Sequence, residues 1–191
     1  MTARIPPLEP PFPEEAAVEL AKMMPPGADP IGLFRTFAVN LPMTRAMQGW
    51  GSYELGRQLS LSLRQREILI DRTCARCGCE YEWGVHVAFF ASRAGFDGEQ
   101  VASLTHGSST DDCWTDPADR LLIALADSVH DENDVDDALW TDLSQHFSPA
   151  QLLDATMLCG WYHAISYTAR AARVAPEPGA PRFADHLPGG R

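Results

Sequence analysis

The sequence predicts an all-α protein, a single-domain helical bundle. Two observations carry that prediction. No stretch alternates apolar and polar residues with the period of two that marks a half-buried strand. Apolar residues instead recur at steps of three and four, in segments separated by proline, glycine, serine and aspartate, which start and stop helices. At 191 residues and 45% hydrophobic content, the chain is long enough to bury one sizeable core.

Taken in order, residues 1–13 are rich in proline and read as an extended N-terminal arm. Pro13-Glu14-Glu15 opens a short helix to about Met24, with acids in the first turn facing the positive end of the helix dipole. Pro25-Pro26-Gly27 stops it. Asp29-Pro30 is expected to start the next, with Ile31, Leu33, Phe34 and Phe37 on its apolar face. A further helix is expected from about Pro42 to Arg57, with Met43, Met47, Trp50 and Leu55 as core candidates.

Ser62-Leu-Arg-Gln65 spells a capping box, and the helix it starts carries Leu63, Ile68, Leu69 and Ile70 to a stop near Cys77-Gly78. Cys79 is expected to open the next helix, which runs through Trp83, Val87 and Phe90 to Gly95. A short helix follows Asp97, and 107–115 is a loop. Asp116-Pro117 and Asp134 or Asp136 start two more helices. Ser148-Pro149 opens the longest, through Leu152, Met157, Trp161 and Ile165 to about Val174. The helical domain is therefore placed at 14–175. Residues 176–191 are expected to be disordered or wrapped on a neighbour.

Charge narrows the function classes. A formal net charge of −11 argues against nucleic acid or an anionic membrane as partner. No run of about 20 apolar residues is present to span a bilayer, and the N-terminal residues lack an apolar signal core. The expected compartment is the cytoplasm, where thiols stay reduced. Five cysteines, unevenly clustered, fit reactive thiols better than a disulfide framework.

Three of those cysteines, Cys74, Cys77 and Cys79, fall between Glu67 and His86. At about 100° per residue, Cys79, Glu82 and His86 share one helix face, so a thiol, a carboxylate and an imidazole lie together. Glu67, twelve residues before Cys79, joins them only if the chain folds back, and Gly78 is where a left-handed residue permits it. A thiol in the first turn of the second helix is expected to titrate below an ordinary cysteine. Cys74, Cys77, Cys79 and His86 could also be read as zinc ligands, but the cysteines straddle the helix break at short range. No metal and no cofactor is expected. His163 reads as a core or interface histidine, and His130 points to nothing specific.

The stretch Arg66-Glu67, then Tyr81-Glu82-Trp83-Gly84-Val85-His86, followed by Ala91 to Gly95, resembles the carboxymuconolactone decarboxylase family, which includes the alkylhydroperoxidase D-type peroxidases. Those peroxidases carry a glutamate, a Cys-x-x-Cys pair and a histidine four residues after the second cysteine. On that pattern Glu67 takes the glutamate, Cys79 the first cysteine and His86 the histidine, while Glu82 stands where the second cysteine would be. The resemblance implies an alkylhydroperoxidase D-like helical domain, assembly as dimers, trimers or hexamers, and catalytic roles for Glu67, Cys79, Glu82 and His86.

Two activities follow from it. The first is a thiol-dependent peroxide reductase. Cys79 attacks the peroxide and becomes a sulfenic acid, Glu67 and His86 relay the proton, and Cys77, Cys74 or an external thiol resolves the product. The second is acid–base chemistry on a small carboxylated lactone or ring. There Glu67 or Glu82 is the base, His86 the acid, and Arg66 a holder for the substrate carboxylate.

Overall fold

Capping residues decide where the helices begin. In the computed structural model, which describes residues 2–187, nine α-helices and a closing 3-10 turn form among the described residues, with no strand. The helices are α1 (Glu14–Met23), α2 (Gly32–Phe37), α3 (Leu41–Glu54), α4 (Leu63–Arg76), α5 (Glu80–Ala94), α6 (Gly98–His106), α7 (Pro117–Asp131), α8 (Asp137–His146) and α9 (Pro149–Ala172). The all-α prediction holds. The domain expected over 14–175 divides into two compact units. One comprises residues up to Leu59 with Thr168–Pro178, and the other Ser60–Tyr167 with the chain from Gly179.

In the first unit α1, α2 and α3 pack on one another. The arm is anchored within this unit, since Arg4 N–H donates to the Ala172 carbonyl at 2.8 Å and Leu8 N–H to that of Arg35 at 3.1 Å. Two boundaries differ from expectation. Helix α2 begins at Gly32 rather than after Asp29, and its first N–H donates at 2.6 Å to Glu177, a cap supplied from 145 residues away. Such a cap leaves no local sequence signature. Helix α3 is capped by Asn40 and ends at Glu54, short of Arg57.

In the second unit α4 is the central rod, packed against α5, α6 and α7. Its capping box forms as read, with Ser62 accepting from the Gln65 N–H. Every residue from Arg66 to Cys74 is buried, charged ones included. Burial on that scale requires internal partners for the charges. Arg72 finds its partner in a two-pronged pair with Asp127, at 2.7 and 2.8 Å. Asp97, Asp116 and Asp136 cap α6, α7 and α8.

The break between α4 and α5 is a Schellman turn. Gly78 has φ +62°, Gly78 N–H donates to the Ala75 carbonyl, and Cys79 N–H donates to that of Cys74 at 2.8 Å. Cys79 is thus the N-cap of α5 rather than a residue of its first turn.

The expected disordered tail gives way over its described part. Phe183–His186 form the 3-10 turn, the Phe183 N–H donates to Glu80 at 2.8 Å, and Arg182 pairs with the same carboxylate. The Phe183 and His186 rings stand edge-on against the buried Trp83 at 5.0 and 5.5 Å. Covering that indole is the apolar reason for this segment to dock. Residues 188–191 of the expected tail lie outside the described residues.

Candidate functional site

The site is assembled by α4 and α5 folding back on each other across Gly78, with α9 closing it. Glu67 enters from α4, Glu82 and His86 from α5, and Cys79 from the junction. Glu67 is fully buried and His86 nearly so. The His86 Nδ1–H donates to Glu67 Oε2 at 2.8 Å. The other Glu67 oxygen accepts from Arg66 Nε and Nη2 at 2.7 and 2.6 Å. Arg66 is therefore committed to Glu67, and its guanidinium lies over the Phe90 ring at 5.0 Å. It is neither a surface arginine nor an open carboxylate clamp.

On its far side His86 Nε2 is 3.0 Å from the Tyr162 hydroxyl and 3.6 Å from Glu82 Oε1. Burial alone would push this imidazole down. The charge and hydrogen bond of Glu67, joined by those of Glu82, override it and raise the pKa to about 10. His86 is thus an imidazolium at neutral pH. Both ring nitrogens carry hydrogen, and the Tyr162 oxygen accepts from Nε2. The phenol O–H remains to donate onward. Burial, with the charges of Glu82 and Glu67, holds Tyr162 well above its usual range, so it stays neutral.

Three participants escaped the sequence reading. Asp71, four residues after Glu67, is buried with no hydrogen-bond partner for either oxygen. Burial and the Glu67 charge push it well above the carboxylate range, so it is protonated. The i, i+4 spacing of two acids on one helix face was the available signal. Tyr162 and Ser166 come from α9, where nothing local marks them; only the packing of α9 in this unit brings them in.

The structure brings Glu67, Glu82 and His86 together. Cys79 sits beside Glu82 and Ser166, and its titration departs from expectation. Burial pushes the thiol up, Glu82 adds a negative charge, and the Glu82 N–H and Ser166 hydroxyl offset this only in part. The helix end does not win, because Cys79 is almost wholly buried. Cys74 is buried too, accepting from the Ser166 hydroxyl at 3.9 Å.

No protein-family model and no curated protein matches the chain. Solved structures do. An uncharacterized peroxidase-related protein from a Silicibacter species superposes with a TM-score of 0.80 at 18% identity, covering 95% of each chain. An alkylhydroperoxidase AhpD core protein from Ralstonia eutropha, also described as peroxidase-related, gives 0.79 at 17% identity over 92% of each. A cysteine-to-alanine variant of the debrominase Bmp8 in complex with 2,3,4-tribromopyrrole gives 0.75 at 14% identity over 93% of each. At these identities the likeness establishes the fold. The chain has the alkylhydroperoxidase D-like fold, that of the family its Glu67–His86 stretch resembles. Among the described residues no helix is long and apolar enough to cross a membrane.

Proposed function

We propose that the second unit is a thiol-dependent peroxide reductase with Cys79 as its nucleophile. One observation supports this above the others. A buried hydrogen-bonded line, Glu67–His86–Tyr162, ends beside Glu82, one helical turn from the Cys79 thiol. Because burial keeps the thiol protonated, the reaction needs a base at the sulfur. Glu82 fills that role: its Oε2 is buried and has no hydrogen-bond partner. As sulfur bonds to the near peroxide oxygen and the O–O bond breaks, the thiol proton passes to Glu82. The departing alkoxide takes a proton from Tyr162, which recovers it from the His86 imidazolium, and His86 is recharged from Glu82. The products are a Cys79 sulfenic acid and an alcohol. Two equivalents of an external thiol reduce the sulfenic acid, giving water and a disulfide. A glutamate at the second-cysteine position thus exchanges an internal resolving thiol for a base.

A second reading, acid–base chemistry on a small carboxylated lactone or ring, draws on the same raised thiol, since that chemistry leaves Cys79 idle. Thiol-dependent consumption of an organic hydroperoxide separates the two. Cys79→Ser is expected to reduce it to background, and His86→Ala and Glu82→Gln to slow it by roughly 10²-fold or more. Full activity in Cys79→Ser would end the peroxidase reading. Lactone turnover that survives Cys79→Ser but not His86→Ala would establish the second.

A further inference from the structure

A second cluster of chemically capable side chains lies on the other side of the Schellman turn. Cys77 is the C-cap of α4, His130 is in the last turn of α7, and His163 is on α9. We propose that Cys77, His130 and His163 form a zinc site with three protein ligands and one open position. Their ligand atoms, the Cys77 sulfur and one nitrogen from each imidazole, all lie within 4.8 Å of one another.

The distances fit an ion entering with small adjustments. Cys77 Sγ is 4.0 Å from His130 Nδ1, which is 2.8 Å from His163 Nε2. With Zn–S near 2.3 Å and Zn–N near 2.0–2.1 Å, a tetrahedral ion holds its ligand atoms roughly 3.3–3.6 Å apart. Spreading the imidazoles by about half an ångström, and drawing the sulfur in by about half an ångström toward His130 and by up to about 1.2 Å toward His163, meets that geometry, which side-chain rotation at a helix end supplies.

The tautomers are set for it. His163 Nδ1 lies 2.8 Å from the Cys159 carbonyl. A carbonyl only accepts, so Nδ1 carries the hydrogen and Nε2 presents its lone pair to the cluster. Fixing a ligand histidine through its other nitrogen is the usual device around bound metals. In this structure the His130 Nδ1–H donates to that lone pair; zinc takes its place, and the His130 hydrogen moves to Nε2.

Charge does not oppose the ion. Arg76 is the cation that acts on His130, and it is paired with Asp127 at 3.5 Å and with Asp131. Arg72 is spent on Asp127 as well. Cys77 supplies the one negative ligand, as the thiolate formed when its proton leaves on zinc binding. Both histidines are half-buried, which leaves the ion a path in and a place for water or a small anion in the fourth position. One thiolate with two imidazoles suits zinc better than magnesium or calcium, which want oxygen.

The test uses the full chain, reduced and stripped with chelator, titrated with cobalt(II) chloride and then zinc sulfate. One equivalent of cobalt is expected to give a thiolate-to-metal charge-transfer band with tetrahedral visible bands, which zinc bleaches. Zinc binding should release a proton from Cys77, seen as a buffer-dependent heat. Cys77→Ser should abolish the charge-transfer band. His130→Gln and His163→Gln should each weaken binding by at least about tenfold, the loss that even outer partners of a metal cause. Cys113→Ser should change nothing. Circular dichroism confirms that each variant folds; if Cys77→Ser does not, half-buried His163→Gln carries the test through loss of the zinc-dependent rise in Tm. No charge-transfer band in the wild type overturns the site. So does a band that survives Cys77→Ser but disappears in Cys79→Ser or Cys74→Ser.

Discussion

His86 shows how one side chain's state is set by its neighbours. Burial favours the neutral ring, and the adjoining carboxylates reverse the outcome. Glu67→Gln removes the first of these charges while keeping the shape. The His86 pKa should then fall from about 10, which a histidine NMR titration reads directly; an unchanged value would show that Glu67 is not the source. Stability follows with a definite sign. The folded pKa of His86 lies above its unfolded value of about 6.5, so its contribution is complete below pH 6.5 and is lost as pH rises through 10. Asp71 acts in the same direction. Its folded pKa is raised, so its contribution is present below about pH 4 and declines as pH climbs above that. Asp71→Asn, which cannot ionise, should raise Tm at pH 8 relative to the wild type and flatten the alkaline decline. A lower Tm at pH 8 with the same slope would show that Asp71 is ionised and stabilised by groups it does not touch here.

At the scale of elements, the α4–α5 hairpin depends on one backbone conformation. Gly78 holds φ +62° between two cysteines with different neighbours, Cys77 near the histidine pair and Cys79 near Glu82. Gly78→Ala should cost about 1–2 kcal/mol, the penalty for a Cβ in left-handed backbone, measured as a drop in urea midpoint at constant slope. Gly84, a turn into α5, answers to a different constraint. A Cβ there would come within 2.7 Å of the Pro181 carbonyl. Gly84→Ala should therefore push the 180–186 segment off Trp83 while sparing the helices. The readouts are faster proteolysis after residue 178 and a red-shifted tryptophan emission. Unchanged cleavage would mean that the segment docks by another route.

For the molecule as a whole, helix α9 carries a seam that the described residues leave exposed. Leu153, Met157 and Tyr167 are 68%, 52% and 65% exposed, and Gly160 and Ala164 between them are exposed as well. Their steps of four, three, four and three residues repeat a heptad seam, and the small pair allows close helix approach. We expect this seam to pack on a second copy. Light scattering at micromolar concentration should give a multiple of 21.0 kDa, and Leu153→Asp with Met157→Asp should return the monomer. A monomeric wild type would remove the assembly expected from the sequence.

The sequence by itself determined what depends on near neighbours. The all-α class, the Ser62–Gln65 capping box and the reversal at Gly78 are short-range effects, legible in spacing and residue type. So was the meeting of Glu67, Glu82 and His86, because a hairpin across Gly78 places them together. Only the tertiary structure decided how those groups ionise. Burial, with the charge of Glu82 beside it, sets the thiol of Cys79 high against a local helix-end effect that favours the opposite, and the Glu67 charge across the hairpin, joined by Glu82, sets the imidazole of His86 high. It also supplied the partners with no local signature: Glu177 capping α2, Tyr162 and Ser166 from α9, and His130 beside His163. Each comes from chain tens of residues distant, and only packing brings such groups within hydrogen-bond reach.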